Sequence, residues 1–313
     1  MKEELFISGR NIPNIDPYLH VWHWPIPLYL FLGGLAAGIL FFAAYFTITG
    51  KEDKVPGAIK LAPMVAPIAI VIGLVALMFD LTHVLYFWRL YTTIRLESPM
   101  SWGAWVLMVM TPISFAWAFI HLREVFPKFN WPFKWLYPIE DFLKKYKIWM
   151  AWSLIPLTIA LGIYTGILLS AFNARPLWNN AILGPLFLVS GLSTGAAMNI
   201  LFAKTSYERH LFGKIDLGLI IVELFFITHM IMGYYSGPQV QQEAVQLLMG
   251  GEFTVMFFVF IITLGLVFPA ILEAFELMGA KVWAAIPAIL VLLGGAVLRF
   301  LMVDAGQMTR YLY

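Results

Sequence analysis

Asp80, His83 and Arg89 arrive in quick succession near the end of the apolar run at 61–96, LAPMVAPIAIVIGLVALMFDLTHVLYFWRLYTTIRL, with Tyr86 and Trp88 between them. A charge inside a membrane helix costs a few kcal/mol on insertion scales, so such residues pair, face a bundle interior or mark a pathway. On one continuous helix Asp80 and His83, three apart, share a face, and Arg89 lies about 13.5 Å past Asp80 along the axis. A carboxylate beside an imidazole can pass protons, and a guanidinium nearby keeps the carboxylate ionised. The alternative is a purely structural buried ion pair. The spacing predicts a polar, proton-handling column in which Asp80, His83 and Arg89 carry the chemistry.

Other chemistry-bearing residues are spread along the sequence. His23 sits in VWHWPIP, a sequence that also suits an aromatic belt at the membrane surface. Tyr29, Tyr164, His229, Arg299 and Asp304 occur near the ends of apolar runs, while Asp216, Glu223, Glu273 and Glu276 form a sparser acidic set. Glu223, in mid-run, is either a helix–helix hydrogen-bond partner or one stop on a proton route. A b-type heme would need two facing imidazoles; His83 and His229 are the one plausible pair, with His23 a poor third. His20, His121 and His210 fall in connections or at run ends.

The elements that must position these groups are membrane helices. The protein is 61% hydrophobic and 12% charged over 313 residues, against about 25% charged in soluble domains. A net charge of +2 gives no ground for nucleic-acid binding. The absence of cysteine removes disulfides, thiol catalysis and iron–sulfur ligation by this protein. The N-terminal MKEELFISGRNIPNIDPYLHVWHW lacks the pattern of a cleavable signal, so the first span is expected to direct its own insertion. Apolar windows predict eight spans near 25–49, 60–92, 100–122, 148–171, 181–203, 214–235, 252–276 and 282–303. The predicted fold class is therefore all-α, a polytopic membrane protein of one integral domain.

Most of the 20 Lys and Arg residues lie on the connections after the first, third, fifth and seventh spans. The positive-inside rule then places both termini on the periplasmic side of a bacterial or archaeal cytoplasmic (inner) membrane. The excess comes chiefly from the stretch 123–147. Within it, WPFKWLYPIEDFLKKYK reads as an aromatic, basic segment lying on the cytoplasmic interface. In this orientation His23, Tyr29, Asp80, His83, Arg89, Tyr164, His229, Arg299 and Asp304 converge on the outer leaflet. LFLGGLAAGILFFAAYF in the first span is similar to LFLVSGLSTGAAMNILFA in the fifth, and DLTH is weakly echoed by FITH. That predicts a pseudo-repeat of 25–147 and 181–303, and the eight spans are pictured as two four-helix bundles side by side. Gly33, Gly34 and Gly38, inside an apolar span, read as helix-packing residues rather than a phosphate loop.

Four strings, WHWPIPLYLFLGGLAAG at 22–38, DLTHVLYFWRL with SPMSWGAW at 80–105, YTGILLSAFNARPLW at 164–178 and LRFLMVDAGQ at 298–307, give this protein a family likeness. It resembles, over nearly its whole length, the NrfD-like family of integral membrane subunits of polysulfide reductase-type respiratory complexes. The resemblance implies a quinone-binding module, for menaquinone or ubiquinone, that holds no heme or iron–sulfur cluster of its own. It implies electron exchange with a ferredoxin-like iron–sulfur subunit docked on the periplasmic face, which serves a molybdopterin or other catalytic subunit. It places the quinone between the first and fourth spans, here around Tyr29 and Tyr164; the chemistry of the residues adds His23 and His83 as further candidates for that site. The sequence departs at Tyr29, where the polysulfide-reductase subunit has a histidine; a phenol can also donate a hydrogen bond. On this reading Tyr29, with Tyr164 or His83, holds the carbonyl oxygens and Asp80 and His83 relay protons. Glu223, Asp80, Arg299 and Asp304 are then stations on a proton pathway. Two other classes fit parts of the pattern: a proton-coupled transporter or ion-translocating subunit, and a pure membrane anchor.

Overall fold

A computed structural model of the protein describes residues 22–81 and 83–309. The N-terminal tail with His20, and the end beyond Thr309, on which part of the orientation reading rests, lie outside the described residues. Among the described residues all regular structure is helical, and eight helices are long and apolar enough to cross a membrane. In sequence order the helices are α1 (Pro25–Ile48), α2 (Gly57–Phe79), α3 (Pro99–Val125), α4 (Leu136–Lys145), α5 (Lys147–Ser170), α6 (Leu183–Phe202), α7 (Ser206–Ser236), α8 (Gln239–Met249), α9 (Met256–Leu277) and α10 (Ala285–Met308). α4 and α8 are the two that do not span. The end of the bundle at which α1 begins is called the upper end below.

The largest departure from the predicted spans is in the second. Its 23 residues from Gly57 to Phe79 already rise about 35 Å, enough for the hydrocarbon core. Asp80 follows as the cap, its N–H bonded to Leu77 O at 3.2 Å. His83 then leaves helical backbone altogether (φ −124°, ψ 78°). The predicted helix over 60–92 is therefore a span plus an irregular upper segment with two short turns, Val84–Tyr86 and Arg89–Thr92. Asp80 and His83 share no helical face.

Capping decides the other boundary shift. α7 starts at Ser206 instead of 214 because Thr205 Oγ1 accepts the Glu208 N–H at 3.1 Å, a threonine–glutamate spacing typical of a helix start. Glu208 in turn accepts the N–H of Lys204 (2.9 Å) and of Ala58 (2.8 Å), tying the beginning of α7 to the beginning of α2. The charged residues 207–214 made this look like a connection; they form the helix turns below the apolar stretch. α8 was not anticipated. Its Gln-rich sequence is polar, yet one side buries Ala244, Val245 and Leu248.

α1 is the most enclosed span: 78% of its apolar stretch is buried, against 28% for α7. It packs on α2, α5, α6 and α10. Against α6 the two small-residue runs meet, and a Cβ placed on Gly38 would lie 3.0 Å from Gly195 Cα. Only glycine permits that approach, which is the close packing that such runs serve in membranes.

At the lower end α4 is fastened by a single carboxylate. Glu140, 1% exposed, accepts hydrogen bonds from Trp131 Nε1 (2.6 Å), Lys144 Nζ (2.7 Å) and Arg123 Nη1 (3.2 Å). Burial alone would raise this carboxyl, but the bonds from Lys144, Trp131 and Arg123 outweigh it and hold Glu140 below its ordinary value. A lowered carboxylate stabilises the fold above the ordinary glutamate range and loses that contribution as the pH falls through its folded value. Glu140→Gln should cost about 2 kcal/mol at neutral pH. The gap to wild type should narrow below about pH 4, as read by thermal unfolding across a pH series.

Candidate functional site

Four spans bring side chains together at the upper end. Tyr29 lies one turn into α1, 3% exposed, and Tyr164 lies near the end of α5, 8% exposed. Their phenol groups lie within electrostatic reach of each other. The pair is seated on glycines. The space of a Cβ on Gly73 of α2 is bounded by the Tyr29 ring at 3.6 Å, and a Cβ on Gly103 of α3 would fall inside the Tyr164 ring. A third phenol, Tyr91, comes from the segment joining α2 to α3 and lies within electrostatic reach of Tyr29. Burial pushes the Tyr91 hydroxyl above its ordinary value, so it too stays protonated, a donor at neutral pH.

Beside Tyr164 a cleft of about 380 Å³ opens between α3 and α5, walled by Leu96, Trp102, Val106, Ile163 and Ile167, with Glu97 at its rim. Trp102 Nε1 donates to Leu96 O at 2.8 Å, which fixes the lip. The lining is apolar apart from Glu97 and the Tyr164 phenol. That combination, an apolar slot with a few placed polar groups, is what holds a flat, lipid-soluble ring.

The residues expected to form one column separate into two places. Asp80, half-withdrawn at the end of α2, has its Oδ1 3.7 Å from His23 Nδ1; its imidazole neighbour is His23. His83, Arg89 and Arg95 line an open depression of about 620 Å³ in the upper segment. There Arg89 lies over the Tyr86 ring at 5.7 Å and outside ion-pair distance of Asp80. His83 is exposed in this segment, and His229 is exposed on α7 with its ring tilted against Phe225, centroids 4.1 Å apart. The two imidazoles do not face each other across a bundle interior, so this pair does not fit an axial ligand set for heme. Asp304 lies exposed near the upper end of α10.

Arg299 and Glu223, read from sequence as lying at different depths, meet in the interior. Arg299 is fully buried on α10 and donates to Ser190 Oγ (2.5 Å), Gly295 O (2.9 Å) and Phe187 O (3.2 Å). Glu223 lies near Ser190 and faces the guanidinium electrostatically. Two helical turns lower on α7, Asp216 accepts from Ser193 Oγ at 2.6 Å and its carboxyl meets that of Glu273. All four ionisable groups are 2% exposed or less. Sequence reading missed Tyr91, Gly103 and the two serines. Only the serines left a trace, as polar residues three apart in an apolar run.

Comparison with known proteins matches residues 14–310 to the family model described as polysulphide reductase, NrfD. This protein belongs to the NrfD family. It is 33% identical over 305 residues to the C subunit of polysulfide reductase from Wolinella succinogenes, covering 92% of the present sequence and 94% of that protein. It is 29% identical over 318 residues to protein NrfD of Escherichia coli, covering 92% of the present sequence and 96% of that one. With the eight apolar helices, this makes it a multi-pass membrane protein of a membrane-subunit family.

Proposed function

We propose that this NrfD-family protein is the quinone-interacting subunit of a respiratory oxidoreductase complex, not catalytic alone. The observation that carries the reading is the buried Tyr29–Tyr164 hydroxyl pair bordering an apolar cleft. The substrate is a quinone, menaquinone or ubiquinone, whose reduction takes up two electrons and two protons. Tyr164 presents its hydroxyl at the cleft wall and Tyr29 fixes the direction of that hydroxyl from behind. Asp80 and His23 stand at the upper end to exchange protons with the outside, and His83 extends that route into the open depression. The cations Arg89 and Arg95 beside it suit docking of a ferredoxin-like iron–sulfur subunit at the periplasmic face, itself serving a molybdopterin or other catalytic subunit. The upper end is then periplasmic, in the inner membrane of a bacterium or archaeon. In this reading the eight spans form two four-helix bundles, with 25–147 and 181–303 as the related segments.

Two measurements test it. Solvent extraction of the purified protein should release a quinone, and a quinone analogue should quench tryptophan fluorescence saturably through Trp102. Neither result is compatible with a pure anchor. Asp80→Asn should slow quinol-linked electron transfer at least tenfold, within the range general acid–base groups contribute, with a changed pH profile. Unchanged turnover and profile would remove Asp80 from the relay.

The interior file Arg299–Ser190–Glu223, with Asp216 and Glu273 below it, favours a second reading in which the complex also moves protons across the membrane. Asp304 at its upper end and Glu223 in the middle are the stations of that path.

A further inference from the structure

The lower face of α4 carries two features that the redox reading does not use. Trp135, Ile139, Phe142 and Tyr146 are 60%, 40%, 60% and 41% exposed. At i, i+4, i+7 and i+11 they form one stripe along the helix, turned away from the face that buries Glu140. The exposed Trp149 and Trp152 of α5 continue it. Lys145 flanks this stripe next to Phe142, and Lys134 and Lys128 stand before the start of the helix; all three are exposed.

The neighbouring cations are already engaged. Lys60 and Lys144 pair with Glu124, Arg123 and Lys144 with Glu140, and Lys147 with Glu52. Lys128, Lys134 and Lys145 form no ion pair among the described residues. Between residues 126 and 146 the sole acid other than Glu140 is Asp141. The edge is therefore net positive and directly borders an aromatic surface.

We infer that this face is a seat for anionic phospholipid, with acyl tails against Trp135, Phe142 and Trp149 and the headgroup charge met by the lysine edge of Lys128, Lys134 and Lys145. A lipid is favoured as occupant because the stripe leads in sequence straight into α5, an apolar span whose Trp149 and Trp152 are exposed and which would face acyl tails in a bilayer. Amphipathic helices with aromatics on one side and lysines at the edge bind anionic membrane surfaces through this pairing of burial and charge. The inference is independent of any quinone. Its content is selectivity for headgroup charge, and it also explains why three lysines are left without acidic partners while four other cations nearby have them.

The test uses the full-length protein in mild detergent, offered equal amounts of phosphatidylglycerol and phosphatidylcholine and examined by native mass spectrometry. Phosphatidylglycerol should be retained preferentially, by roughly tenfold or more. The triple variant K128Q/K134Q/K145Q should lose the preference while keeping the wild-type melting temperature in lipid-free detergent. Equal retention of both lipids by wild type overturns the proposal without reference to any variant. An unchanged preference in the triple variant, or a second copy of the protein held at this face in place of lipid, overturns it as well.

Discussion

Tyr164→Phe keeps the fold and lowers quinol-linked electron transfer by roughly tenfold to a hundredfold, the range for removing one donor aimed at a reacting oxygen. The ring stays, so packing on Gly103 and the cleft wall survive; only the hydroxyl beside Tyr29 is lost. Tyr29→Phe should cost less, because it removes the group that directs the donor and not the donor at the cleft. The double variant should be little worse than Tyr164→Phe alone, since the two hydroxyls act as one unit. Gly103→Ala approaches the same site sterically. A methyl there would occupy the space of the Tyr164 ring, so the ring must swing into the cleft or α3 must move. Its expected signature is weakened binding of a quinone analogue together with a loss of about 1–3 kcal/mol of stability from overpacking. If Tyr164→Phe turned over quinol at the wild-type rate while Gly103→Ala did not, the cleft would matter for its shape and the phenol would have no part in the chemistry.

The contrast between these tyrosines and the Asp80–Arg89 run explains what could be read in advance. Eight spans were legible because each needs about 20 apolar residues and nothing else. The small residues of α1 and α6 marked close helix packing, but not that these two runs pack on each other. Where the second span stops was not legible, because an apolar run with late charges looks the same whether the charges sit in lipid or beyond it. Counting rise from Gly57 gives the answer, since hydrocarbon is already crossed by Phe79. Once Asp80 is a cap, its partner is chosen by which helix starts alongside, and α1 supplies His23. Tyr91 was invisible for a similar reason: it is carried by irregular backbone, whose path no periodicity encodes. Gly103 carries no chemistry of its own and becomes meaningful only with the Tyr164 ring resting on it. The family likeness pointed to Tyr29 and Tyr164, but that their phenols lie close together depends on the packing of α1 against α5.

Arg299→Met should destabilise the protein by about 3 kcal/mol, the lower end of what breaking a buried charge pair costs when one partner is left behind. The guanidinium is fully buried and makes hydrogen bonds to Ser190, Gly295 and Phe187, with its central carbon 5.0 Å from the Phe187 ring centre. A Met side chain fills much of that space between α1, α6 and α10, so the loss reports charge more than volume. Glu223→Gln alone should destabilise for the converse reason, leaving Arg299 buried without its facing carboxylate. The double variant Arg299→Met/Glu223→Gln removes both charges, and its stability should recover at least half of what Arg299→Met lost, as buried pairs replaced together often do. Thermal unfolding in detergent measures all four corners of this cycle. Proton movement across a vesicle membrane, measured on the double variant alongside electron transfer from quinol to an external acceptor, then separates the two readings of the interior file. If the file only holds α6, α7 and α10 together, the restored protein transfers electrons and moves protons as wild type does. If it is a proton route, electron transfer persists while proton movement across a vesicle membrane stops.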